Sequence, residues 1–319
     1  MSINSSNHVI FLMKTPDIEQ LNNNFSLDTD DTRLSFKAGE GGIPVIEIQN
    51  QHASAIISLQ GAQVLSWRPK GKDEVIWVST DASFAPGKSV RGGIPICWPW
   101  FGPHATNAAF PAHGFARTTL WQVIDTQALS EGETQITFEL DTSLLSDSQK
   151  AMWPVATVAE YRLTVGNLLT MELTTFNHSE QAITISQALH TYFNVENVAN
   201  TKIFGLDGKD YLDKTDGFKR KTQSGPIRIS SEVDRVYLDT PDDVIIDNKK
   251  RKIVIKKQGS QSTVVWNPWQ AVAEKMGDLG KDGYLEMLCV ESANAAEDTV
   301  IIDADESHTL RVIYEIEPI

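Results

Sequence analysis

Residues 157–177 read TVAEYRLTVGNLLTMELTTFN. Apolar and polar residues alternate through 157–165 and again through 169–177, and the Val165-Gly166-Asn167 step between the two runs is a turn signal. Alternation with a period of two places every second side chain on the same face of a β-strand. This stretch therefore predicts two half-buried antiparallel strands joined by a tight turn.

Short runs of the same kind recur after residue 33, separated by turns rich in Gly, Asn and Pro, and few segments keep an apolar period of 3.6. The runs cover 45–48, 55–59, 64–67, 75–78, 135–140, 182–189, 244–247, 252–256, 262–266, 286–291 and 309–317. Many short strands with long loops predict an all-β protein, a large antiparallel β-sandwich with few short helices. We expect residues 1–30 to form a polar N-terminal arm and residues 31–319 a single domain, because no linker divides them.

The composition narrows the class of protein. The chain has 319 residues, of which 41% are hydrophobic, and a net charge of −14, so it can build a large core and is unsuited to binding nucleic acid or an anionic membrane. Cys97 and Cys289 are far apart in sequence, which predicts two buried thiols in a reducing compartment and no disulfide framework. With no signal peptide or membrane span recognisable, we expect a cytoplasmic monomer that binds a small molecule.

The segment from Arg91 to Arg117, RGGIPICWPWFGPHATNAAFPAHGFAR, is the most unusual of the chain. Its glycines and prolines predict a shaped loop and not a strand. Aromatic residues such as Trp98 line sugar pockets or pack in cores, and the forked donors of Arg91 and Arg117 suit an anion or stand as surface charges. Two arginines at the ends of one ordered loop favour an anionic carbohydrate as ligand.

Two strand segments carry ionisable residues among apolar ones. His190 follows the run ISQAL and precedes aromatic residues, and Glu291 ends the run MLCV. Each has an ordinary structural explanation, a hydrogen-bonded core histidine and a solvated strand-end carboxylate, but together they offer an acid and a base. Asp234, in the segment VDRVY, is a third candidate, or one half of a surface charge pair with Arg235.

The motifs RGGIPICWPWFGP, PAHGFART, LHTYF, VDRVY, WNPW and LCVES, which occur in this order, resemble those of the hexose-6-phosphate mutarotases, also called glucose-6-phosphate 1-epimerases. The resemblance runs from about Gly61 to Glu291 and implies the supersandwich fold of the galactose-mutarotase-like superfamily. It further implies an isomerase that needs neither a cofactor nor a metal ion. The residue roles that the resemblance implies are catalysis by His190 and Glu291, substrate binding by Arg91, Arg117 and Asp234, and a position near the substrate for His113.

The sequence departs from the family pattern at two positions. Some members have a substrate-contacting Gln before the His of HGFAR, where this chain has Ala112. Some members continue the catalytic Glu with Pro-Gly, where this chain has Ser292, Ala293 and Asn294. The first departure affects the expected sugar preference, and the second leaves the expected chemistry intact.

The residue types fit the implied reaction. Interconversion of anomers removes a proton from the C1 hydroxyl and adds one to the ring oxygen, and the roles reverse when the ring closes on the other face. We expect an ionised Glu291 as the base and a protonated His190 as the acid, with the pKa of His190 held up by Asp234 or Glu291. Arg91 and Arg117 would hold the 6-phosphate, and Trp98, Trp100 or Trp269 could offer a ring face to the sugar.

Other functions remain open from the sequence. A carbohydrate-binding module without catalysis would use the same sandwich and aromatic residues, and a mutarotase could act on an unphosphorylated aldose. A glycoside hydrolase or lyase is disfavoured, because hydrolysis typically needs two carboxylates and only Glu291 stands on a strand with apolar flanks. A metal site of Cys97, His104 and His113 is disfavoured by its irregular spacing.

Overall fold

A computed structural model describes residues 16–318 of the chain. The prediction of an antiparallel all-β fold with few short helices is confirmed. The strands are β1 (Leu27–Asp28), β2 (Thr32–Ala38), β3 (Pro44–Asn50), β4 (Ala53–Ser58), β5 (Gln63–Pro69), β6 (Ile96–Cys97), β7 (Gln122–Ala128), β8 (Thr134–Asp141), β9 (Thr157–Val165), β10 (Leu169–Asn177), β11 (Ile183–Ile185), β12 (Gln187–Leu189), β13 (Tyr192–Asn194), β14 (Lys202–Phe204), β15 (Asp210–Asp213), β16 (Lys219–Thr222), β17 (Val233–Leu238), β18 (Val244–Asp247), β19 (Arg251–Gln258), β20 (Ser262–Asn267), β21 (Met287–Asn294), β22 (Val300–Ile302) and β23 (Ser307–Pro318). The α-helices within residues 16–318 are α1 (Ile18–Phe25), α2 (Asp147–Met152), α3 (Trp269–Met276) and α4 (Gly283–Glu286).

Three larger sheets and one small one organise these strands. A five-stranded sheet runs in chain order from β1 to β5, and a first eight-stranded sheet has the order β14-β18-β19-β23-β10-β9-β8-β7. A second eight-stranded sheet, here called the site sheet, has the order β16-β15-β17-β20-β21-β12-β6, with β13 also pairing with β21. Strands β11 and β22 form a separate pair.

The hairpin predicted from residues 157–177 forms as expected. Strands β9 and β10 have the predicted bounds, and Thr157 pairs with Asn177 at one end while Val165 pairs with Leu169 at the other. Every second residue of both strands, beginning with Thr157 and Leu169, is buried, and the residues between are partly exposed. The alternation in the sequence therefore marks the face that these strands turn to the main core.

Strand β21 at the centre of the site sheet is buried along its whole length. Leu288 and Val290 pack into the main core, whereas Cys289 and Ala293 belong to two smaller clusters on the opposite face. Because side chains alternate along a strand, Glu291 lies on the face of Cys289 and Ala293. The site sheet therefore turns one face to the core and the other to the candidate site.

The structure differs from the predicted strands in places. Residues 75–78 form only isolated bridges, of Ile76 to Phe193 and of Val78 to Gly92, and no continuous ladder with other described residues. The run 182–189 is divided into β11 and β12 at Ser186, whose backbone N–H donates to the carbonyl of Pro99 outside either strand. Further strands, among them β2, β7 and β17, were not predicted.

The beginning of the described chain is a short helix. Asp17 caps α1 by accepting the backbone N–H groups of Glu19 and Gln20, and Ile18 and Phe25 pack against the core. Residues 1–15 of the expected N-terminal arm lie outside the described residues, and the division of the chain into arm and domain stays a prediction. In residues 16–318, no helix is both long and apolar enough to cross a membrane.

Candidate active site

His190 and Glu291 face each other across neighbouring strands. Leu189 of β12 pairs with Ser292 and Tyr192 of β13 pairs with Cys289, so the same antiparallel register places His190 opposite Glu291. The backbone N–H of His190 does not join the ladder with β21 but donates to the carbonyl of Pro95, and this hydrogen bond separates β12 from β13. Nε2 of His190 lies 3.4 Å from Oε1 of Glu291.

Both side chains carry a buried polar atom that has no hydrogen-bond partner among the described residues. These atoms are Nδ1 of His190 and Oε2 of Glu291. The Glu291 side chain is 1% exposed and that of His190 is 12% exposed. Because a buried polar atom without a partner is costly, such atoms are expected where a polar ligand binds.

The pKa values of Glu291 and His190 are shifted opposite to the expected ionised carboxylate and protonated imidazole. Burial raises the pKa of Glu291 well above its ordinary value, and the negative charge of Asp234 raises it further against the lowering effect of Lys214 and Arg117. Burial also lowers the pKa of His190, and the positive charges of Arg117 and Arg91 lower it further. The expectation that a carboxylate holds the His190 pKa up is therefore wrong. Both shifts favour the neutral forms of the pair, a protonated carboxyl and an unprotonated imidazole.

The imidazole of His190 is held by aromatic rings. Its plane stacks on the ring of Tyr192, with a centroid distance of 5.0 Å and an interplanar angle of 16°. Trp77 stacks on the other face of Tyr192 at 6.0 Å, and Trp266 lies edge-on to both His190 and Tyr192. Because Nδ1 has no hydrogen-bond partner in the described part of the chain, the stacked ring of Tyr192 is what orients the imidazole.

The loop from Arg91 to Arg117 covers the site, as a shaped segment with only the short strand β6 inside it. Within the loop Gly114 forms an isolated bridge with Trp98, and a Cβ atom on Gly114 would clash with the carbonyl oxygen of Trp98. Gly114 has φ 69° and His113 before it has φ 67°, so this turn requires the left-handed region twice in succession. The turn aims the ring of His113 at His190, with 5.7 Å between their centroids.

His113 is neutral and has a defined tautomer. The backbone N–H of Gly102 donates to its Nδ1 over 3.3 Å, so the proton of the neutral ring sits on Nε2. Burial lowers the pKa of His113 to about 3, and the positive charges of Arg117, Lys214 and Arg91 contribute to this shift. His113 therefore offers the site an N–H donor and not a titrating base.

The two predicted arginines both reach the site. Nη2 of Arg117 donates to the carbonyl of Ala112 over 2.9 Å, which places its guanidinium beside His113. Nε of Arg91 donates to Oδ1 of Asp278 over 3.0 Å, and Nη1 of Arg91 donates to the hydroxyl of Tyr192 over 3.1 Å. The electrostatic effect of both arginines on the pKa values of His113 and His190 indicates that their charges converge there.

Asp234 reaches the site from β17 together with a lysine. Leu212 pairs with Val236 and Asp213 with Arg235, so the register continued by one residue places Lys214 opposite Asp234. Nζ of Lys214 lies 2.7 Å from Oδ2 of Asp234, and Oδ1 of Asp234 is buried without a partner among the described residues. Asp234 is therefore not paired with Arg235, and its Oδ1 is a third buried polar atom of the candidate site without a partner in residues 16–318, after those of His190 and Glu291.

Trp98 stands apart from this group. Its ring is completely buried between Phe115 and Trp153, and its Nε1 donates to Oγ1 of Thr175 in the core. It has no exposed ring face to offer a sugar. Of the other tryptophans considered, Trp100 packs against His104 at the far side of the loop and Trp269 packs against Tyr284.

Donor atoms for a metal ion come together in a set that was not expected. Ligand atoms of His190, Cys289 and Glu291 lie within 4.8 Å of one another, and this is the one such group among residues 16–318, so Cys97, His104 and His113 form none. Burial raises the pKa of Cys289 well above its ordinary value, which favours the thiol over the metal-binding thiolate. The nearby cations Arg91, Arg117 and Lys214 also oppose a divalent ion.

Three residues of the site were missed from the sequence. Tyr192 stood only as one of two aromatics after His190, and the motif LHTYF could have singled it out. Lys214 and Asp278 lie in polar turn segments, LDKTDG and MGDLGKDG, whose charges look like ordinary surface charges. Only the pairing of β15 with β17, and the return of the chain after α3, bring them to the site.

An antiparallel sandwich that brings a histidine and a glutamate together on one sheet face fits a sugar epimerase, and the sequence comparisons show that class. Residues 44–315 match the aldose 1-epimerase family, so the chain belongs to that family and is an isomerase that interconverts sugar anomers. It is 36% identical to the Escherichia coli (strain K12) protein named "Putative glucose-6-phosphate 1-epimerase" over 276 residues, which are 85% of this chain and 90% of that protein. A Cenchrus ciliaris protein of the same name is also 36% identical, over 84% of this chain and 83% of that protein.

Solved structures of similar proteins agree with the fold. A crystal structure from Salmonella typhimurium, of a protein described as a putative mutarotase, superposes with a TM-score of 0.81 at 31% identity, covering 92% of this chain and 96% of that one. A galactose mutarotase-like protein from Clostridium acetobutylicum superposes with a TM-score of 0.66 at 13% identity, covering 91% of this chain and all of the other. The second likeness concerns the fold alone.

Proposed function

We propose that this epimerase interconverts the α and β anomers of a hexose 6-phosphate, with glucose 6-phosphate as the first substrate to test. The observation that carries the proposal is the facing pair of His190 and Glu291, whose unpartnered atoms lie among three cationic side chains. The names of the curated relatives point to the same substrate. The expected monomeric state and cytoplasmic location rest on the sequence alone.

The pair would serve as acid and base by sharing one acidic proton, which the two pKa shifts favour on the carboxyl. Oε2 of Glu291, which has no other partner, would accept the proton of the C1 hydroxyl, and His190 would donate to the ring oxygen. This requires the proton to move from the carboxyl to the imidazole over the 3.4 Å contact when the sugar hydroxyl hydrogen-bonds to the carboxylate. After rotation about the C1–C2 bond, the reverse transfers close the ring on its other face.

The phosphate would be held by short-range contacts. The chain has a net charge of −14, so its long-range field repels a sugar phosphate. Arg91, Arg117 and Lys214 all act on the pKa of His113, which indicates a local concentration of positive charge. Arg91 and Arg117 keep guanidinium N–H groups beyond their protein contacts and would direct these to phosphate oxygens.

Two further residues would orient the sugar. The unpartnered Oδ1 of Asp234 would accept a hydroxyl proton, since its other oxygen is taken by Lys214. The Nε2–H group of His113 would donate to a sugar oxygen, because its Nδ1 is already occupied. At the position of the Gln of some relatives, the carbonyl of Ala112 instead holds Arg117.

Exchange NMR between the anomers tests the proposal directly. Glucose 6-phosphate, galactose 6-phosphate, mannose 6-phosphate and free glucose would each be measured with wild type and with His190→Asn. We expect faster exchange of at least one sugar phosphate than of free glucose, and a loss of about 10²-fold or more in the variant. Binding without faster exchange would favour the carbohydrate-binding module, and equal rates for free and phosphorylated sugar would favour an aldose mutarotase.

A further inference from the structure

Tyr192 connects a predicted phosphate contact to the catalytic histidine. Its hydroxyl accepts a hydrogen bond from Nη1 of Arg91 over 3.1 Å, and its ring stacks on His190 at 5.0 Å. Trp77 closes the other face of the Tyr192 ring. Tyr192 is therefore a single side chain that contacts both the guanidinium of Arg91 and the imidazole of His190.

The imidazole depends on this stack for its orientation. A functional histidine is commonly oriented by a hydrogen bond at its second ring nitrogen, but Nδ1 of His190 has no partner among residues 16–318. The 3.4 Å contact of Nε2 with Glu291 is then the polar contact that remains to the ring nitrogens. The face of Tyr192 and the edge-on rings of Trp266 and His113 are the aromatic contacts that limit the orientation of the imidazole.

The guanidinium of Arg91 is held on one side and open on the other. Nε is bonded to Asp278 and one N–H of Nη1 is bonded to Tyr192. Since Nε is occupied, an anion would use the end of the fork, formed by Nη1 and Nη2. The nitrogen that donates to Tyr192 would then also contact the anion.

We propose that Tyr192 is a positioning residue that makes turnover depend on the anion bound at Arg91. The inference rests on the proposed function. A phosphate on the end of the fork fixes Arg91 between Asp278 and the anion, the bond from Nη1 fixes the Tyr192 ring, and the stack fixes His190 for transfer of its proton. A sugar without phosphate does not fix Arg91, Tyr192 and His190 in this way. Phosphorylated sugars should therefore have a higher kcat as well as a higher affinity.

A double-mutant cycle on Arg91 and Tyr192 tests the proposal. The variants are Tyr192→Phe, Arg91→Ala and the double variant, with kcat and KM for glucose 6-phosphate measured by exchange NMR. Tyr192→Phe retains the stacked ring and removes only the hydroxyl, so we expect the fold to survive, with thermal unfolding as the check. We expect Tyr192→Phe to lower kcat by about tenfold or more with KM changed less than about threefold, because a small misplacement of a catalytic group is costly. In the Arg91→Ala background the same substitution should lower kcat by less than about threefold.

A matched control is available on the same sheet. The hydroxyl of Tyr237 also accepts from an arginine, Nη1 of Arg235, but its ring packs against Tyr211 and not against His190. Tyr237→Phe should leave kcat and KM for glucose 6-phosphate unchanged. A loss below threefold for Tyr192→Phe in the wild-type background, or above threefold in the Arg91→Ala background, overturns the proposal. If wild type turns over no hexose 6-phosphate, the proposed function itself fails, which is a separate outcome.

Discussion

Replacing Glu291 with Gln keeps the shape of a completely buried side chain and removes its proton chemistry. Because Gln cannot accept the C1 hydroxyl proton, kcat should fall by about 10²–10⁴-fold. This loss corresponds to about 3–5 kcal/mol of activation free energy. Gln can still fill the space opposite His190, so the loss should occur in a folded protein.

The same substitution should make the protein more stable, by an amount that grows with pH. Burial raises the pKa of Glu291 above the ordinary value of 4.5, so above that pH the unfolded chain releases a proton that the folded chain keeps. The free energy of unfolding contributed by Glu291 then falls by about 1.4 kcal/mol per pH unit until the folded carboxyl ionises. Gln has no such dependence, so its advantage over Glu increases from about pH 5 upward.

Urea unfolding of wild type and Glu291→Gln at several pH values between 5 and 9 measures this difference, and exchange NMR on the same samples gives kcat. Glu286→Gln is the control, because Glu286 is exposed at the end of α4, and it should alter neither quantity. A stability difference that stays constant or shrinks as the pH rises would mean that Glu291 is ionised in the free protein. Full activity in Glu291→Gln would mean that another group is the base.

Three further outcomes follow from the site. The dependence of kcat/KM on pH, corrected for the phosphate ionisation near pKa 6, should be bell-shaped. Its acidic limb should belong to His190 and its alkaline limb to Glu291, the reverse of the ordinary order of a histidine and a glutamate. His190→Asn should abolish the acidic limb, and retention of that limb would contradict the assignment. Arg117→Ala should lower kcat/KM for glucose 6-phosphate by an amount equivalent to about 2 kcal/mol of activation free energy and should barely affect free glucose. This is the low end of the range for removing one partner of a buried charge pair, because Arg117 is half-buried. Equal losses on both sugars would show that Arg117 does not recognise the phosphate. Gly114→Ala should lower the free energy of unfolding by at least about 2 kcal/mol, since its backbone is left-handed and its Cβ atom would meet the Trp98 carbonyl, and an unchanged urea midpoint would show that the turn relaxes.

The two-residue period of apolar and polar residues predicted the fold class, because each strand of a sandwich buries one face and so alternates buried and exposed side chains. Strands β9, β10 and β18 have the predicted bounds. Strand β17 was missed, since its sequence VDRVYL places Asp234 and Arg235 next to each other and hides the alternation. Residues 75–78 look like a strand by composition, but the chain offers them only isolated partners.

The candidate site was less predictable than the fold. Residue type and motif pointed to His190, Glu291 and the two arginines, which do meet in space. The direction of the pKa shifts could not be predicted, because it depends on how completely the pair is buried. The partners Lys214 and Asp278 depend on strand register and on a distant loop, which a single sequence does not reveal.

The position of His190 and Glu291 in one cross-strand pair separates the reaction from the recognition of the sugar. The distance between these two residues is set by the spacing of neighbouring strands, which insertions or deletions elsewhere do not change. The proposed phosphate and sugar contacts stand mostly on the loop 91–117, and Asp278, which holds Arg91, stands on the loop 277–282. For an engineer, the sheet is therefore a fixed reaction centre on which these two loops can be exchanged to admit other aldoses. The natural drift of substrate preference among related proteins can follow the same route.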